Sequence, residues 1–174
     1  DEKWAKNQIV AHIKFTGNTE VFKSDCLNIY PIFYDNELKD IRDGISKKIE
    51  SNYSNYIKQI FNIDLLIPLE YTLSLDTNNI LLFSYNPPKN EEIKHLLIFS
   101  ISDSSTNLVD SIFTQTNKLF ELCLKGSRSD SYVKIEPNYS PILDKGSYRL
   151  LWKLNNGFMG GPAIIKPYFT NDKV

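Results

Sequence analysis

The chain has 174 residues and a mass of 20.1 kDa, with 41% hydrophobic and 24% charged residues but only 7 Gly and 8 Pro. This is the make-up of an ordinary globular domain, and it excludes collagen-like, low-complexity and disordered chains. Twenty basic residues nearly cancel 21 acidic ones, so there is no global field of the kind that gathers nucleic acid or anionic lipid non-specifically, and no apolar run approaches the roughly 20 residues of a membrane-spanning helix.

In chain order, Asp1-Glu2-Lys3-Trp4 opens the sequence without an initiator Met or a signal-peptide core. We therefore read residues 1–174 as a single α+β domain forming the carboxyl-terminal part of a longer, processed precursor. From Gln8 to Phe15, Ile9, Ala11, Ile13 and Phe15 alternate with Val10, His12 and Lys14, the period of a strand with one buried face. Gly17-Asn18-Thr19 ends it and supplies a helix cap, after which Phe22, Cys26 and Ile29 follow at helical spacing as far as Pro31.

The strongest periodicity runs from Asp35 to Phe61. Leu38, Ile41, Ile45, Ile49, Tyr53, Tyr56, Ile57 and Ile60 form one apolar face, and Lys39, Arg42, Lys47, Lys48 and Glu50 the solvated one, which predicts a long amphipathic helix. Three apolar runs follow, Leu69 to Leu75, Ile80 to Tyr85 and Leu96 to Ile101. They are separated by Asp76-Thr77-Asn78-Asn79 and Asn86-Pro87-Pro88-Lys89-Asn90, turn chemistry that predicts an antiparallel meander.

Ser104 or Ser105 is placed to cap a further helix whose apolar face includes Val109, Ile112, Phe113, Leu119, Phe120, Cys123 and Leu124, with Gly126 as its stop. Strands are then predicted at Tyr132 to Glu136, Ser147 to Leu154 and Ala163 to Phe169. The connections are too short for parallel crossovers, so the expected architecture is α+β, a mainly antiparallel sheet with two amphipathic helices packed on one face.

Residues that could carry chemistry are few. Cys26 and Cys123, 97 positions apart among apolar neighbours, read as small buried hydrophobes; a single long-range disulfide is the alternative. There is no Cys-x-x-Cys pattern, and His12 and His95 fall on separate predicted strands without a third ligand at metal-site spacing, so neither a metal nor another cofactor is expected. Asp103-Ser104-Ser105 and Ser127-Arg128-Ser129-Asp130 lack a nucleophile elbow and read as a cap and a surface loop, while Glu91-Glu92 lies in a polar turn. Tyr30, Phe33 and Tyr34, on the predicted loop before the long helix, read as core or as an exposed contact patch. Only 3 of the 20 basic residues are arginine, against a dedicated phosphate or nucleic-acid reader.

The least ordinary stretch is Trp152-Lys153-Leu154-Asn155-Asn156-Gly157-Phe158-Met159-Gly160-Gly161-Pro162, which holds an aromatic anchor, the only Met, three of the seven glycines and a proline. It reads either as a shaped hairpin whose Phe158 and Met159 plug a core, or as a contact loop in which bare Gly160 and Gly161 amides meet an anion or a peptide carbonyl. No Lys-Ser or Lys-Thr follows the glycines, so it is not a phosphate loop.

Three segments resemble an uncharacterised domain family of Bacteroidota envelope lipoproteins. Trp4-Ala5-Lys6-Asn7-Gln8-Ile9-Val10 is similar to that family's Trp-Ala-x-x-Gln opening, Phe61 to Leu65 with Ile67-Pro68 to its mid-chain helix exit, and Trp152 to Pro162, with Met-Gly-Gly-Pro, to its signature. The likeness spans essentially the whole chain. It departs where Ala163 replaces a bulky aromatic and in lacking the lipid-bearing cysteine portion. The resemblance implies a bacterial envelope compartment, periplasmic or associated with the outer membrane, and an anchor on a preceding amino-terminal portion, but it implies no mechanism.

The expectation is therefore a non-enzymatic binding or assembly module that contacts another envelope protein through Trp4, Trp152, Asn155, Phe158, Met159, Gly160, Gly161 and Pro162. There is no catalytic residue in this reading. The alternatives are a hydrolase or transferase using His12, His95 or Asp103, its site completed by an amino-terminal portion, and a structural subunit that completes a larger sheet.

Overall fold

The computed structural model describes residues 9–77, 79–89, 92–101 and 107–169. By contacts these fall into two compact units. One holds the residues up to Asn55 together with Leu65–Leu69, and the other Tyr56–Asp64 and the residues from Glu70 onward.

In the first unit, helix α1 (Thr19–Ser46) starts as the sequence predicts. The Asn18 side chain accepts hydrogen bonds from the Glu20 and Val21 N–H groups at 3.0 and 3.2 Å, satisfying two of the donors a helix start leaves open. The helix does not stop at Pro31 but runs through it, forfeiting the hydrogen bond that an N–H at that position would make one turn back. Tyr30, Phe33 and Tyr34 are therefore helical and exposed rather than in a loop, with Tyr30 and Tyr34 stacked at 5.9 Å. No residue of α1 is buried, Cys26 included, so Leu38 and Ile41 do not form the expected core face.

The predicted helix over 35–61 is broken after Ser46 because residues 48–50 pair elsewhere. Ile49 bridges Pro68, the Glu50 N–H donates to the Ile67 carbonyl and the Leu69 N–H to the Lys48 carbonyl, both at 2.9 Å. Backbone committed to that pairing cannot also serve the helix. Helix α2 (Ser51–Phe61) begins beyond it. Residues 9–16 alternate in hydrophobicity but join no ladder, and His12 is not on a strand; the pattern alone supplies no pairing edge.

In the second unit the end of α2 buries Ile57 and exits at Asn62, whose φ of 54° is the left-handed turn that stops a helix. Strands β1 (Thr72–Thr77), β2 (Ile80–Tyr85) and β3 (Lys94–Phe99) form the predicted antiparallel meander in that order. Central β2 buries Leu81, Leu82 and Phe83 in succession, as a strand covered on both faces does. Each such side chain contributes about 1.5–3 kcal/mol.

Helix α3 (Leu108–Cys123) is capped by Asn107 and buries Ile112 and Thr116; Ser104 and Ser105 lie outside the described residues. A second sheet follows, made of β4 (Tyr132–Ile135), β5 (Ile142–Asp144), β6 (Ser147–Asn155) and β7 (Gly160–Ile165). Within it β6 pairs with β4 and β5 along one edge and with β7 along the other.

The protein is thus α+β and antiparallel, as expected. Its described residues form three helices and two sheets, rather than two helices on one sheet. Strand β5 was not anticipated, and β7 starts and ends earlier than the predicted run from Ala163 to Phe169.

Candidate functional site

The site is built on β6. Along a strand, alternate side chains face opposite ways, so Tyr148, Leu150, Trp152 and Leu154 share one face and Arg149, Leu151, Lys153 and Asn155 the other. Phe113 of α3 meets Tyr148 edge-to-face at 5.1 Å, which assigns the first face to the helix. The outer edge of β4 is covered as well. The Val133 N–H donates to the Leu124 carbonyl at 2.9 Å and the Ile135 N–H to Asn117 Oδ1 at 2.8 Å.

The β6–β7 hairpin explains most of the Gly-rich segment. The Leu154 N–H donates to the Met159 carbonyl at 2.8 Å, making 154 and 159 a hydrogen-bonded pair. In an antiparallel ladder such pairs alternate with non-bonded ones, and the register runs unbroken from Lys153↔Gly160 to Tyr148↔Ile165. Gly161, opposite Trp152, therefore points its N–H into the ladder, while the Gly160 N–H and the Pro162 nitrogen face the edge of β7 that no other described strand joins. Among the described residues only the Gly160 amide is left without a ladder partner, and Pro162 stands where an edge strand tolerates proline.

Both glycines also answer an internal requirement. A Cβ at 160 would lie 2.9 Å from the Trp152 carbonyl oxygen, and one at 161 would lie 3.1 Å from Trp152 Nε1. Their small size lets β7 lie against Trp152.

The tip of the hairpin faces solvent. Asn156 takes φ of 54°, and its Nδ2 donates to Asp130 Oδ2 at 3.1 Å, tying the tip to the loop in which Arg128 pairs with Asp130. Beyond this anchor Phe158 is fully exposed, at 109%, and Met159 is 57% exposed, so neither plugs a core.

A shallow groove of about 470 Å³ lies beside the tip, lined by Phe158, Met159, Gly160, Gly161, Trp152 and Leu154 together with Leu151, Lys153, Glu136 and Tyr139. In it Lys153 Nζ lies 3.0 Å from Glu136 Oε2, and the Asn138 N–H donates to Glu136 Oε1 at 3.0 Å. The Asn138 N–H first, and the Lys153 ammonium next, hold the Glu136 carboxyl below the ordinary glutamate value.

Of the residues singled out in the sequence, Trp152, Asn155, Phe158, Met159, Gly160, Gly161 and Pro162 come together on this hairpin. Trp4 lies outside the described residues. Tyr139 and Glu136 were not anticipated. The signal was slight: a tyrosine between Pro137 and Pro141, and an acid seventeen positions from its lysine.

The acid/base candidates lie elsewhere. His12 belongs to the first unit, and Asp103 lies outside the described residues. His95 is on β3, its Nδ1 lying 3.0 Å from Ser84 Oγ, which accepts from Ser74 Oγ at 2.8 Å. Burial lowers the His95 pKa below its ordinary value. Cys26 and Cys123 are free thiols, and burial raises the pKa of Cys123. Among the described residues no group of three or more His, Cys, Asp or Glu side chains is placed to hold a metal ion, and no helix is long and apolar enough to cross a membrane.

Fold and site together define an α+β protein whose most distinctive surface is a solvent-facing aromatic hairpin on an antiparallel sheet. Residues 50–173 match the family described as "Domain of unknown function (DUF4837)", and the chain belongs to that family. The match takes in α2, both sheets and the hairpin; α1 lies outside it. No curated protein matches the chain, and no solved structure does.

Proposed function

We propose that this protein is a non-enzymatic binding or assembly module of the bacterial cell envelope that contacts a partner protein through the tip of the β6–β7 hairpin. The observation that carries this reading is Phe158, a large apolar side chain held wholly in solvent on a tip that Asn156 anchors from below. Exposed aromatics on a fixed scaffold are the usual anchors of protein interfaces. The envelope address and a lipid anchor rest on the resemblance at Trp4 to Val10 and at Met159 to Pro162.

The test is capture from envelope extract, with bound proteins identified by mass spectrometry, comparing the native chain with Phe158→Ser. A defined partner recovered by the native chain and lost by the variant supports the proposal; equal recovery refutes it. Valines at Gly160 and Gly161 would not serve, since a Cβ at 160 would press on the Trp152 carbonyl oxygen at 2.9 Å and distort the hairpin itself.

A second reading, a hydrolase, rests on the Ser84–His95 pair. Ser84 accepts from Ser74 and is left to donate to His95 Nδ1, so a neutral His95 could act as a base. Labelling by a fluorophosphonate probe that disappears in Ser84→Ala would favour it, and absence of labelling would remove it.

A further inference from the structure

The face of the second sheet turned away from α3 is unevenly charged at its hairpin end. Lys134 and Lys153 stand opposite each other in the β4–β6 register, and both are half-buried. Like charges directly opposite on neighbouring strands are unfavourable. One row on, Tyr132 faces Asn155, and Lys125 Nζ lies 5.9 Å from the Tyr132 ring centre. Among the described residues the carboxylate beside Lys153 is Glu136, both of whose oxygens are already engaged by Lys153 and one also by the Asn138 N–H. Asp130 is taken up by Arg128 and Asn156. Lys153 and Glu136 line the groove together with Phe158, Met159 and, 60% exposed, Tyr139, and Lys134 flanks it as the cross-strand neighbour of Lys153.

Resting on the reading of the hairpin as a contact surface, we infer that the occupant of this groove is an acidic polypeptide segment. Its apolar side chain would lie between Tyr139 and the Phe158–Met159 tip, and its neighbouring carboxylate would lie on Lys134 and Lys153. Charge complementarity selects the acid, because the half-buried, like-charged Lys134–Lys153 pair is relieved by an incoming anion. The apolar walls select a peptide over a bare inorganic anion. Docking is onto the face rather than the edge, since Pro162 interrupts the outer edge of β7 and the edge of β4 is already covered.

The test is calorimetric titration of the full chain with short peptides alternating aspartate with leucine, lysine with leucine, and aspartate with serine. The expected result is that the aspartate–leucine peptide binds at least about tenfold tighter than either control. Lys134→Glu should reduce its binding about tenfold and reverse the preference toward the lysine–leucine peptide. Salt near 1 M, where the Debye length falls to about 3 Å, should weaken it further. Thermal unfolding confirms that each variant is folded.

Equal binding of the acidic and basic peptides overturns the inference, as does capture of the protein by vesicles of anionic lipid in place of the peptide. If Phe158→Ser abolishes partner capture while Lys134→Glu leaves it unchanged, the hairpin reading stands and the acidic-segment inference fails. If neither variant alters capture, both fail.

Discussion

Replacing the paired glycines singly by alanine separates two forms of close packing against one tryptophan. At position 160 the new methyl group would meet the Trp152 carbonyl oxygen at 2.9 Å, against ordinary contacts of 3.4–4 Å. Backbone must move by roughly half an ångström, and overpacking of that kind costs about 1–3 kcal/mol. Alanine also restricts the unfolded chain, which returns about 0.4–1 kcal/mol. The net loss for Gly160→Ala is about 1–2 kcal/mol, a fall in Tm of about 2–8 °C for a chain of this size.

At 161 the nearest atoms are Nε1, Cε2 and Cζ2 of the Trp152 ring, at 3.1–3.4 Å. An indole can tilt by a few tenths of an ångström, so Gly161→Ala is expected to be neutral to within about 0.5 kcal/mol. Any residual loss should be recovered in the Trp152→Phe background, measured against Trp152→Phe alone, because phenylalanine lacks the pyrrole edge. The same background cannot rescue Gly160→Ala, whose obstacle is a main-chain oxygen that phenylalanine retains. Thermal unfolding followed by circular dichroism reads both cycles. Equal losses at the two positions, or rescue of both by Trp152→Phe, would refute the assignment of these glycines to Trp152.

Thr116 Oγ1 is buried without a hydrogen-bond partner among the described residues, so Thr116→Val is expected to raise stability by about 1 kcal/mol in urea unfolding; a loss would mean that the hydroxyl is satisfied. Glu136 titrates below its ordinary value of 4.5 in the folded chain, so its contribution is fully present above the unfolded pKa and is lost as pH falls through the lower, folded one. The stability difference between the native chain and Glu136→Gln, read as urea midpoints, should therefore be larger at neutral pH than in acid, and a difference independent of pH contradicts the pairing. Lys134→Glu should stabilise the sheet by a few tenths of a kcal/mol by removing a like-charged cross-strand pair. A clear loss in the same assay would show that the two ammonium groups do not oppose each other.

What could be read from the sequence followed the range of the forces involved. The three-stranded meander was legible because its alternation and its turn residues are local, and β2 runs over the predicted residues from Ile80 to Tyr85. The break between α1 and α2 was not, because its cause, the Ile49–Pro68 bridge, joins residues far apart in the chain. Ile9 to Phe15 shows the converse, a clean strand period that joins no ladder among the described residues. β5 is three residues long, too short for periodicity to show.

At the candidate site, the unusual density of Gly, Met and aromatic residues marked the right segment. Which way each glycine faces is a property of register and of the Trp152 ring, and neither is written in spacing. The role of Tyr139 and of the Glu136–Lys153 pair appeared only once β4 and β6 lay side by side.

The most direct test of the account places a photo-crosslinking amino acid at position 158 in cells producing the protein, with position 77 on the other sheet as the control. A discrete crosslinked protein obtained from 158 and not from 77 is the predicted result. Illumination that yields no adduct at 158, or the same adducts at both positions, would contradict the claim that the hairpin tip is where this protein meets its partner.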